Sequence, residues 1–236
     1  MNDPYTIFPL GDSAATMELG KLMNEELNMK VLAIQSWFKK NNIPGLKDII
    51  VAYSTITISY DPAIVRKNHS SEGTVYEWIQ KKLEQAYCES IFQNSEMIGT
   101  TRVPICYDEE FGIDLPEVIN STRLTLEEII ELHVSTIYRV YMLGFLPGFA
   151  YLGELVPQLF MPRKVNPVTV IAGSVGIVSN QTGIYPLNSP GGWQILGRTP
   201  MKLFDKAEDT PVKLKAGDKV QFYSITREEF ESYKKE

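Results

Sequence analysis

The sequence predicts an α+β protein of two domains, a small α/β sandwich at 1–95 followed by an all-β barrel or sandwich at 96–236. Its 236 residues correspond to about 1.6 domains of typical size. Helical and strand-like patterns alternate in the first hundred residues. Residues 141–200 instead hold nine of the 16 glycines and seven of the 14 prolines, a density of turn formers that is typical of short, closely spaced strands.

The first domain shows the order β-β-α-β-β-α, which is typical of a sheet covered on one side by two helices. Asn24 is a good N-cap, and two glutamates follow it in the first helical turn. Thr74 and Glu77 have the spacing of a capping box and predict the start of the second helix. The strand-like runs are 5–10, 15–19, 49–52 and 55–60. The inner faces predicted for the helices are Leu27, Val31, Ile34 and Phe38, then Val75, Ile79, Leu83 and Ala86.

The second domain opens with a strand-like run at 100–107, and residues 108–123 show no regular pattern. A third helix is predicted from Thr125, which has capping-box spacing to Glu128. Helical signals return only at 226–229. The inner face predicted for the third helix is Leu126, Ile130, His133 and Ile137. The further predicted strands are 168–171, 175–178, 193–196 and 219–225.

The charge balance excludes one large class of function. With 29 acidic and 23 basic residues the net charge is −6, which argues against nucleic-acid binding because phosphate recognition needs a basic face. The N-terminus lacks the basic and apolar regions of a signal peptide. No run approaches the roughly 18 apolar residues of a membrane span. We expect a soluble cytoplasmic protein with no membrane or nucleic-acid partner.

Cysteine and histidine are too few for a metal centre. Cys88 and Cys106 are isolated from each other, so neither a disulfide framework nor a cysteine-based zinc site is expected. His69 and His133 exclude a three-histidine metal site, and no His-Glu-x-x-His motif is present. We therefore expect this chain to provide no metal ligand set of its own.

The block 141–200 is a candidate anion site. Glu154 is its one acidic residue, against the three basic residues Arg163, Lys164 and Arg198, and a positive patch in an acidic protein suits carboxylate or phosphate. Alternatively, these arginines pair with acids elsewhere in the fold. His133 lies on an apolar helical face and is either a hydrogen-bonded core residue or, if it meets an arginine in a cleft, a proton carrier.

Glycine-rich segments in this block also allow two interpretations. The run 144–153 contains Phe145 and Phe149, which either line a pocket or plug one end of the barrel. Gly173 and Ser174 could cradle an oxyanion with free N–H groups, or belong to a glycine-bulged strand. The run 192–199 has the spacing of a phosphate-binding loop, but its four central residues are mostly bulky and apolar, which favours a strand.

Several of these motifs, taken in order, resemble one known family. The motifs are Gly144–Gly153, Pro162-Arg163, Ala172–Val175, Gln181–Pro186, Ser189–Trp193, Gly197–Pro200 and Leu203–Asp205. They resemble the allophanate hydrolase subunit 1 family, which includes the B-type subunit of bacterial 5-oxoprolinase and the kinase inhibitor KipI. The same domain occurs in the carboxyltransferase region of urea carboxylase. The sequence departs from the family pattern at Val168, where an arginine is expected, and at Ile171, where a proline is expected.

The resemblance implies a cyclophilin-like β-barrel for the second domain. It further implies the B-type subunit of an ATP-dependent 5-oxoprolinase, which converts 5-oxoproline to glutamate together with an allophanate hydrolase subunit 2-like partner and a LamB/YcsF-like partner. ATP would be bound jointly with those partners. Two alternatives share the same motifs. One is a KipI-type inhibitor of a histidine kinase, and the other is a carboxyltransferase component that acts with a biotin-dependent partner.

The site predicted from these residues has two parts. His133 and Arg198 are the expected catalytic residues, with His133 carrying or orienting a proton. The expected substrate- or anion-binding residues are Arg163, Gly173, Ser174, Gln181, Tyr185, Gly191, Gly192, Trp193, Phe145 and Phe149.

Overall fold

The computed structural model describes residues 4–69, 73–90 and 99–233. The chain divides into two compact units, Met1–Met97 and Ile98–Glu236. The domain boundary predicted near residue 95 lies outside the described residues. Each unit has its own hydrophobic core.

The first unit is an antiparallel sheet with helices packed on one face. Its elements are β1 (Thr6–Pro9), β2 (Ala14–Glu18), α1 (Glu25–Asn41), β3 (Leu46–Val51), β4 (Thr55–Tyr60), α2 (Pro62–Asn68) and α3 (Val75–Glu89). Within 4–69 and 73–90 the strand order is β1-β2-β4-β3. Ile56 and Ile58 of β4 are fully buried together with Ile34 of α1 and Ile79 of α3, which confirms the predicted helix-covered sheet.

The predicted helix starts in this unit are confirmed by their caps. The Asn24 side chain accepts a hydrogen bond from the N–H of Leu27, and both bonds of the Thr74–Glu77 capping box are present. Helix α2 was not predicted, because the sequence indicated only that a strand ends near Asp61. The Asp61 carboxylate caps this short helix by accepting from the N–H groups of its second and third residues, and seven residues are too few to show helical periodicity.

The second unit is built around a strongly curled sheet. Its elements before residue 160 are β5 (Thr100–Ile105), α4 (Leu115–Thr122), α5 (Leu126–Ser135), β6 (Ile137–Leu143), β7 (Ala150–Gly153) and the 3-10 turn Pro157–Leu159. They are followed by β8 (Val168–Val170), β9 (Ser174–Val178), β10 (Gln181–Ile184), β11 (Ser189–Gly191), β12 (Gln194–Arg198), β13 (Lys219–Ser224) and α6 (Arg227–Tyr233). Within residues 99–233 the sheet order is β12-β9-β10-β7-β6-β13-β5, and β8 and β11 form a separate ribbon. The predicted α+β class is confirmed.

Two details of the helices in this unit differ from the predictions. Residues 115–122 form α4, although this segment was predicted to be irregular. The prediction overlooked its start signals, which are Asp114 at the N-cap and Pro116 and Glu117 in the first turn. The Asp114 carboxylate bonds Lys164 and Ile195 instead of capping the helix. Helix α5 starts with the predicted Thr125–Glu128 capping box but ends at Ser135. Ile137 is therefore the first residue of β6 and is 54% exposed, and its predicted place on the inner face of the helix is wrong.

The curled sheet closes at a single backbone contact. Strands β5 and β12 lie at its two edges, and the residue after β5 meets the last residue of β12. The N–H of Cys106 donates to the carbonyl of Arg198 at 2.9 Å, and the N–H of Arg198 donates back at 3.0 Å. A Cβ added to Gly197 would lie 2.5 Å from the carbonyl oxygen of Cys106. We call this contact the seam. It is consistent with the barrel that the family resemblance implies.

The seam generates a first prediction. We expect Gly197→Ala to lower the free energy of unfolding by about 1–3 kcal/mol. The added methyl group would collide with the Cys106 carbonyl, and the hydrogen bonds of the seam keep the two backbones from moving apart. Urea unfolding followed by circular dichroism measures the change. Gly99→Ala is the control, since a Cβ at Gly99 has no neighbour within 4 Å and should change stability by less than about 0.5 kcal/mol. Equal stabilities for the two variants would contradict a tight seam.

Candidate functional site

Four aromatic side chains of the glycine-rich block form one group, which we call the aromatic cluster: Phe149, Tyr151, Tyr185 and Trp193. The Phe149 ring centroid lies 5.0 Å from that of Tyr185 and 5.4 Å from that of Trp193, with the rings edge to face. Phe145 meets Phe149 edge to face at 5.7 Å but is 62% exposed. The structure therefore brings the predicted aromatic residues together as a packed cluster, with Phe145 at its exposed border.

The aromatic cluster and the barrel core occupy opposite faces of β10. Successive side chains of a strand point to opposite faces. Thr182 is fully buried on the core side, whereas a Cβ added to the next residue, Gly183, would lie 2.8 Å from the Trp193 indole. Gly183 pairs with Gly176 across β9 and β10, and a Cβ on Gly176 would also approach Trp193, at 3.1 Å. This pair of glycines leaves the space that the Trp193 side chain fills.

The Gly191-Gly192 pair gives two further side chains room. A Cβ on Gly191 would lie 2.6 Å from the hydroxyl oxygen of Tyr185, and one on Gly192 would lie 2.7 Å from Nε of Arg163. The Tyr185 hydroxyl and the Arg163 guanidinium therefore lie against consecutive residues of one backbone segment. Gly191 and Gly192, which were predicted as substrate- or anion-binding residues, allow this close approach of two side chains to the backbone.

Arg163 is the exposed cation of this site. In the part of the chain that the structure describes, it has no carboxylate partner within 4.0 Å. Burial raises the pKa of Tyr151 and of Tyr185, and the positive charge of Arg163 opposes that rise in both. The arrangement is a cation beside two phenols on a rigid aromatic base, which suits an anionic or carbonyl oxygen.

The next residue, Lys164, has a structural task. Its Nζ lies 2.5 Å from Oδ2 of Asp114, and the same oxygen accepts a hydrogen bond from the N–H of Ile195 at 2.7 Å. The N–H of Lys164 in turn donates to the carbonyl of Gly192 at 2.8 Å. Lys164 therefore fixes the backbone that carries Arg163, and its charge is neutralised by Asp114.

Arg198 and Arg163 have different neighbours. Arg198 ends β12, whereas Arg163 lies against Gly192, two residues before that strand begins. The Nε of Arg198 donates to the carbonyl of Ala172 at 2.9 Å, and its guanidinium carbon lies 6.0 Å from the ring centroids of Phe111 and Phe230. The Arg198 side chain therefore belongs to the packing around the seam.

Gly173 and Ser174 do not offer the free N–H groups that an oxyanion cradle requires. The N–H of Gly173 donates to the carbonyl of Tyr185 at 2.7 Å, and the N–H of Ser174 donates to the carbonyl of Ile171 at 3.1 Å. Gly173 has a φ of +87°, and a Cβ there would collide with the carbonyl oxygen of Thr199. The expected cradle is corrected to a tight turn that leads into β9. Gln181 is the first residue of β10 and lies on the same face of that strand as Gly183.

His133 lies in the barrel core. It is 0% exposed, and its ring stacks on Phe222 with centroids 4.7 Å apart. Nδ1 lies 2.7 Å from the hydroxyl of Tyr107, and Nε2 lies 3.0 Å from the hydroxyl of Thr182. Burial lowers the pKa of His133 to about 3, so the ring is neutral near pH 7. The structure does not bring His133 together with either arginine, and it favours the core interpretation over proton transfer.

The hydrogen-bond directions in this core network follow from its last member. The Thr182 hydroxyl donates to the carbonyl of Gly176 at 3.1 Å, so its oxygen must accept from His133. The histidine proton is therefore on Nε2, and Nδ1 accepts from the Tyr107 hydroxyl. This buried chain connects α5 to β10 and β9, the two strands that support the Trp193 indole.

Sequence reasoning missed three residues of this region. Asp114 bonds Lys164, 50 residues away in sequence, and Ile195, 81 residues away. No local sequence pattern can predict contacts over such distances along the chain. Tyr151 lies in the aromatic run but was not selected. Ser189 starts β11, and its hydroxyl is buried with no hydrogen-bond partner in the described part of the chain. Its position in the Ser-Pro-Gly-Gly motif was the available signal.

Two negative observations complete the site. Across 4–69, 73–90 and 99–233, no three His, Cys, Asp or Glu side chains are grouped so that they could hold a metal ion. None of the helices described there is long and apolar enough to cross a membrane.

The burial of His133 generates a second prediction. We expect His133→Gln to lower the free energy of unfolding at pH 7 by about 1–3 kcal/mol, because buried hydroxyls lose a partner. The folded protein holds His133 at a pKa of about 3, against 6.5 for an exposed histidine, so at intermediate pH only the unfolded chain binds this proton. The free energy of unfolding of the wild type therefore falls as the pH drops below 6.5. The difference in this free energy between the wild type and His133→Gln should be smaller by about 2 kcal/mol at pH 5 than at pH 7.

Urea unfolding at pH 7 and pH 5 measures both numbers. Ile129→Val is the control, because it trims a fully buried residue of α5 without a titratable group. Its stability loss of about 0.5–1.5 kcal/mol should be the same at both pH values. A gap between wild type and His133→Gln that stays constant over this range would contradict a neutral, buried His133.

Comparisons with known proteins agree with this architecture. The family model described as "Carboxyltransferase domain, subdomain C and D" matches residues 5–214. The chain is 39% identical over 235 residues to the B-type subunit of 5-oxoprolinase from Bacillus subtilis (strain 168), covering 98% of each chain. It is 36% identical over 214 residues to the B-type subunit of 5-oxoprolinase from Escherichia coli O157:H7, covering 90% of this chain and 93% of that one.

The fold is also found in a longer protein. The crystal structure of TTHA0988 matches 93% of this chain with a TM-score of 0.76 and 34% identity. This chain corresponds to 40% of that chain. These matches confirm the family resemblance that the sequence motifs predict. Because the family model covers most of its length, the chain belongs to the carboxyltransferase domain family, subdomains C and D.

Proposed function

We propose that this chain is the B-type subunit of a 5-oxoprolinase, which opens the lactam of 5-oxoproline to glutamate at the expense of ATP. The observation that carries the proposal is the 39% identity to a protein of that name across 98% of both chains. The Arg163 site supports it, because 5-oxoproline is a small anion whose amide oxygen must become more negative during ring opening.

The chemistry assigned to this chain is the binding of negative charge. The Arg163 guanidinium can hold a carboxylate or a phosphoryl oxygen through charge-assisted hydrogen bonds. The Arg163 charge acts on the hydroxyl groups of both Tyr151 and Tyr185. Tyr185 is 1% exposed, so we assign contact with the ligand to the partly exposed Tyr151, and the rings of Phe149 and Trp193 pack against both tyrosines. The packed aromatic rings lose little conformational entropy when the substrate binds, whereas the exposed Arg163 side chain becomes ordered on binding.

Proton transfer and nucleotide binding are assigned to the partner proteins. His133 is enclosed and neutral near pH 7, and we expect His133→Gln to leave turnover per folded molecule unchanged. The run 192–199, which has the spacing of a phosphate-binding loop, is mostly strand β12 and turns its N–H groups into a sheet. We propose that an allophanate hydrolase subunit 2-like protein and a LamB/YcsF-like protein supply these functions, and that ATP binds with them.

A carboxyltransferase component is the second candidate function. The family description itself favours it, and such a component would accept a carboxyl group from a biotin-dependent partner. The two candidates differ in a simple property, since a biotin-dependent reaction stops when avidin is added and 5-oxoproline hydrolysis does not.

The third prediction follows from assigning charge binding to this chain and proton transfer to its partners. The isolated chain should show no 5-oxoproline-dependent release of phosphate from ATP, because the groups assigned to it bind charge and move no proton. Activity should appear when the two partner proteins are added, and avidin should not reduce it. Phosphate release and glutamate formation are measured together. Turnover by the pure chain, or avidin-sensitive activity of the mixture, would contradict the proposal.

The different neighbours of the two arginines give the fourth prediction. Arg163→Ala should raise the KM for 5-oxoproline about ten- to a hundred-fold in the assembled enzyme, since it removes charge-assisted hydrogen bonds worth about 1.5–3 kcal/mol each. Its melting temperature should stay near wild type, because Arg163 is exposed.

Arg198→Ala is the matched comparison. Arg198 donates to Ala172 and packs on two aromatic rings, so this variant should lower the melting temperature and leave KM nearly unchanged. If Arg163→Ala is instead the destabilised variant with normal KM, the anion site lies elsewhere.

A further inference from the structure

A groove on the first unit has no role in the proposed function. It has a volume of about 400 Å³ and lies between the C-terminal half of α1 and strand β3. Its apolar floor is formed by Phe38, Ile43, Leu46 and Ile49, and its polar rim by Gln35, Lys39, Asn42, Lys47 and Asp48. All nine residues belong to the first unit, so the groove is a feature of that unit.

The groove runs beside an unpaired strand edge. Within residues 4–69 and 73–90, strand β3 is at the end of the sheet order and is paired with β4 alone. The N–H of Ala52 donates to the carbonyl of Thr55 in the β3–β4 turn. In an antiparallel pair, hydrogen-bonded and non-hydrogen-bonded residue pairs alternate. From the register Val51–Ile56 and Ile49–Ile58, the N–H and C=O groups of Ile49 and Val51 therefore point away from β4.

A separate contact supports the outward direction of the Ile49 N–H group. The N–H of Ile49 is bonded to Oδ1 of Asp48, the preceding residue, at 2.8 Å. A side chain from the adjacent position is a local substitute for the missing neighbour strand. The N–H groups at this edge are thus available to a carbonyl or carboxylate oxygen that displaces Asp48.

The rim of the groove is cationic where it faces this edge. Lys39 has no ion-pair partner in the described part of the chain. Lys47 is 59% exposed and lies 3.7 Å from Asp61, a long contact. Asp48 is the one acidic residue among the nine that line the groove, and its Oδ1 accepts a hydrogen bond from the N–H of Ile49. An incoming strand with a carboxylate would therefore meet two lysines at the mouth of the groove.

We propose that β3 and α1 form a docking groove for an extended peptide segment of a partner protein that carries an acidic side chain. The segment adds as a fifth strand beside β3, pairing with the backbone of Ile49 and Val51. Alternate side chains enter the apolar floor, and a carboxylate binds Lys39 and Lys47. Backbone pairing gives affinity and the pocket gives specificity, as in other strand-addition complexes. The inference does not depend on the 5-oxoprolinase assignment.

The test uses a phage-displayed library of random decapeptides, selected on the purified full-length chain. Enriched peptides should contain Asp or Glu, and their affinities are measured by fluorescence anisotropy. The double variant Lys39→Glu, Lys47→Glu should weaken binding about tenfold or more. Lys40→Glu is the matched control, because Lys40 is the next residue of the same helical turn and does not line the groove. It should bind the peptides as wild type does.

Backbone pairing is tested from both sides. Ile49→Pro removes the outward N–H, which donates only to Asp48, and should also weaken binding about tenfold or more. If its melting curve shows that the variant is not folded, peptides N-methylated at alternate amides test the same bonds with the wild-type chain. No enrichment, or unchanged affinity in the lysine double variant and for every methylated peptide, would overturn the proposal. A wild-type dimer in analytical ultracentrifugation that Ile49→Pro dissociates would also overturn it, by assigning the edge to a second copy.

Discussion

The closure of the curled sheet through the backbones of Cys106 and Arg198 is the constraint on which the second unit depends. Two strands at opposite edges of the sheet must approach until their N–H and C=O groups bond, and only a glycine at position 197 permits that distance. The same contact determines the role of Arg198. Its backbone forms half of the seam, and its side chain fills the space between Ala172 and the rings of Phe111 and Phe230. Because both its backbone and its side chain are held, Arg198 has little freedom to move with a substrate.

Strand β10 connects the interior of the barrel to the candidate site. Thr182 holds the buried chain of His133 and Tyr107, and the neighbouring Gly183 receives the Trp193 indole on the other face. Core and site are therefore separated by one peptide unit. A substitution that disturbs the buried hydrogen bonds is expected to lower the stability of the barrel, while the aromatic cluster on the other face keeps its own ring contacts. Turnover has to be compared with the folded fraction before a role is assigned to His133.

Local signals predicted the parts of this protein that depend on local contacts. The capping boxes at Thr74 and Thr125 and the buried faces of α1 and α3 involve residues three or four positions apart, and all were predicted. Helix α4 was missed even though Asp114, Pro116 and Glu117 stand at positions where such residues favour a helix start. The long-range pairs could not be predicted, because Asp114 meets Lys164 and Ile195 only after the barrel has closed. The same reason applies to Arg163 and Arg198. Both look alike in sequence, and only the folded chain gives them different neighbours, Gly192 for Arg163 and the Ala172 carbonyl for Arg198.

The contrast between these two arginines indicates what the chain contributes to a larger enzyme. Arg163 is exposed and without a carboxylate partner in the described residues, and Lys164 with Asp114 holds its backbone firmly. The backbone of this cation is held in place, and its exposed guanidinium is available to form charge-assisted hydrogen bonds with a negatively charged ligand. A lactam also requires a proton donor for its leaving nitrogen, and the enclosed His133 cannot supply one. Under the proposed function, this unit therefore contributes a cation with a fixed backbone, and the proton carrier is assigned to a partner protein that presents it to the substrate at Arg163.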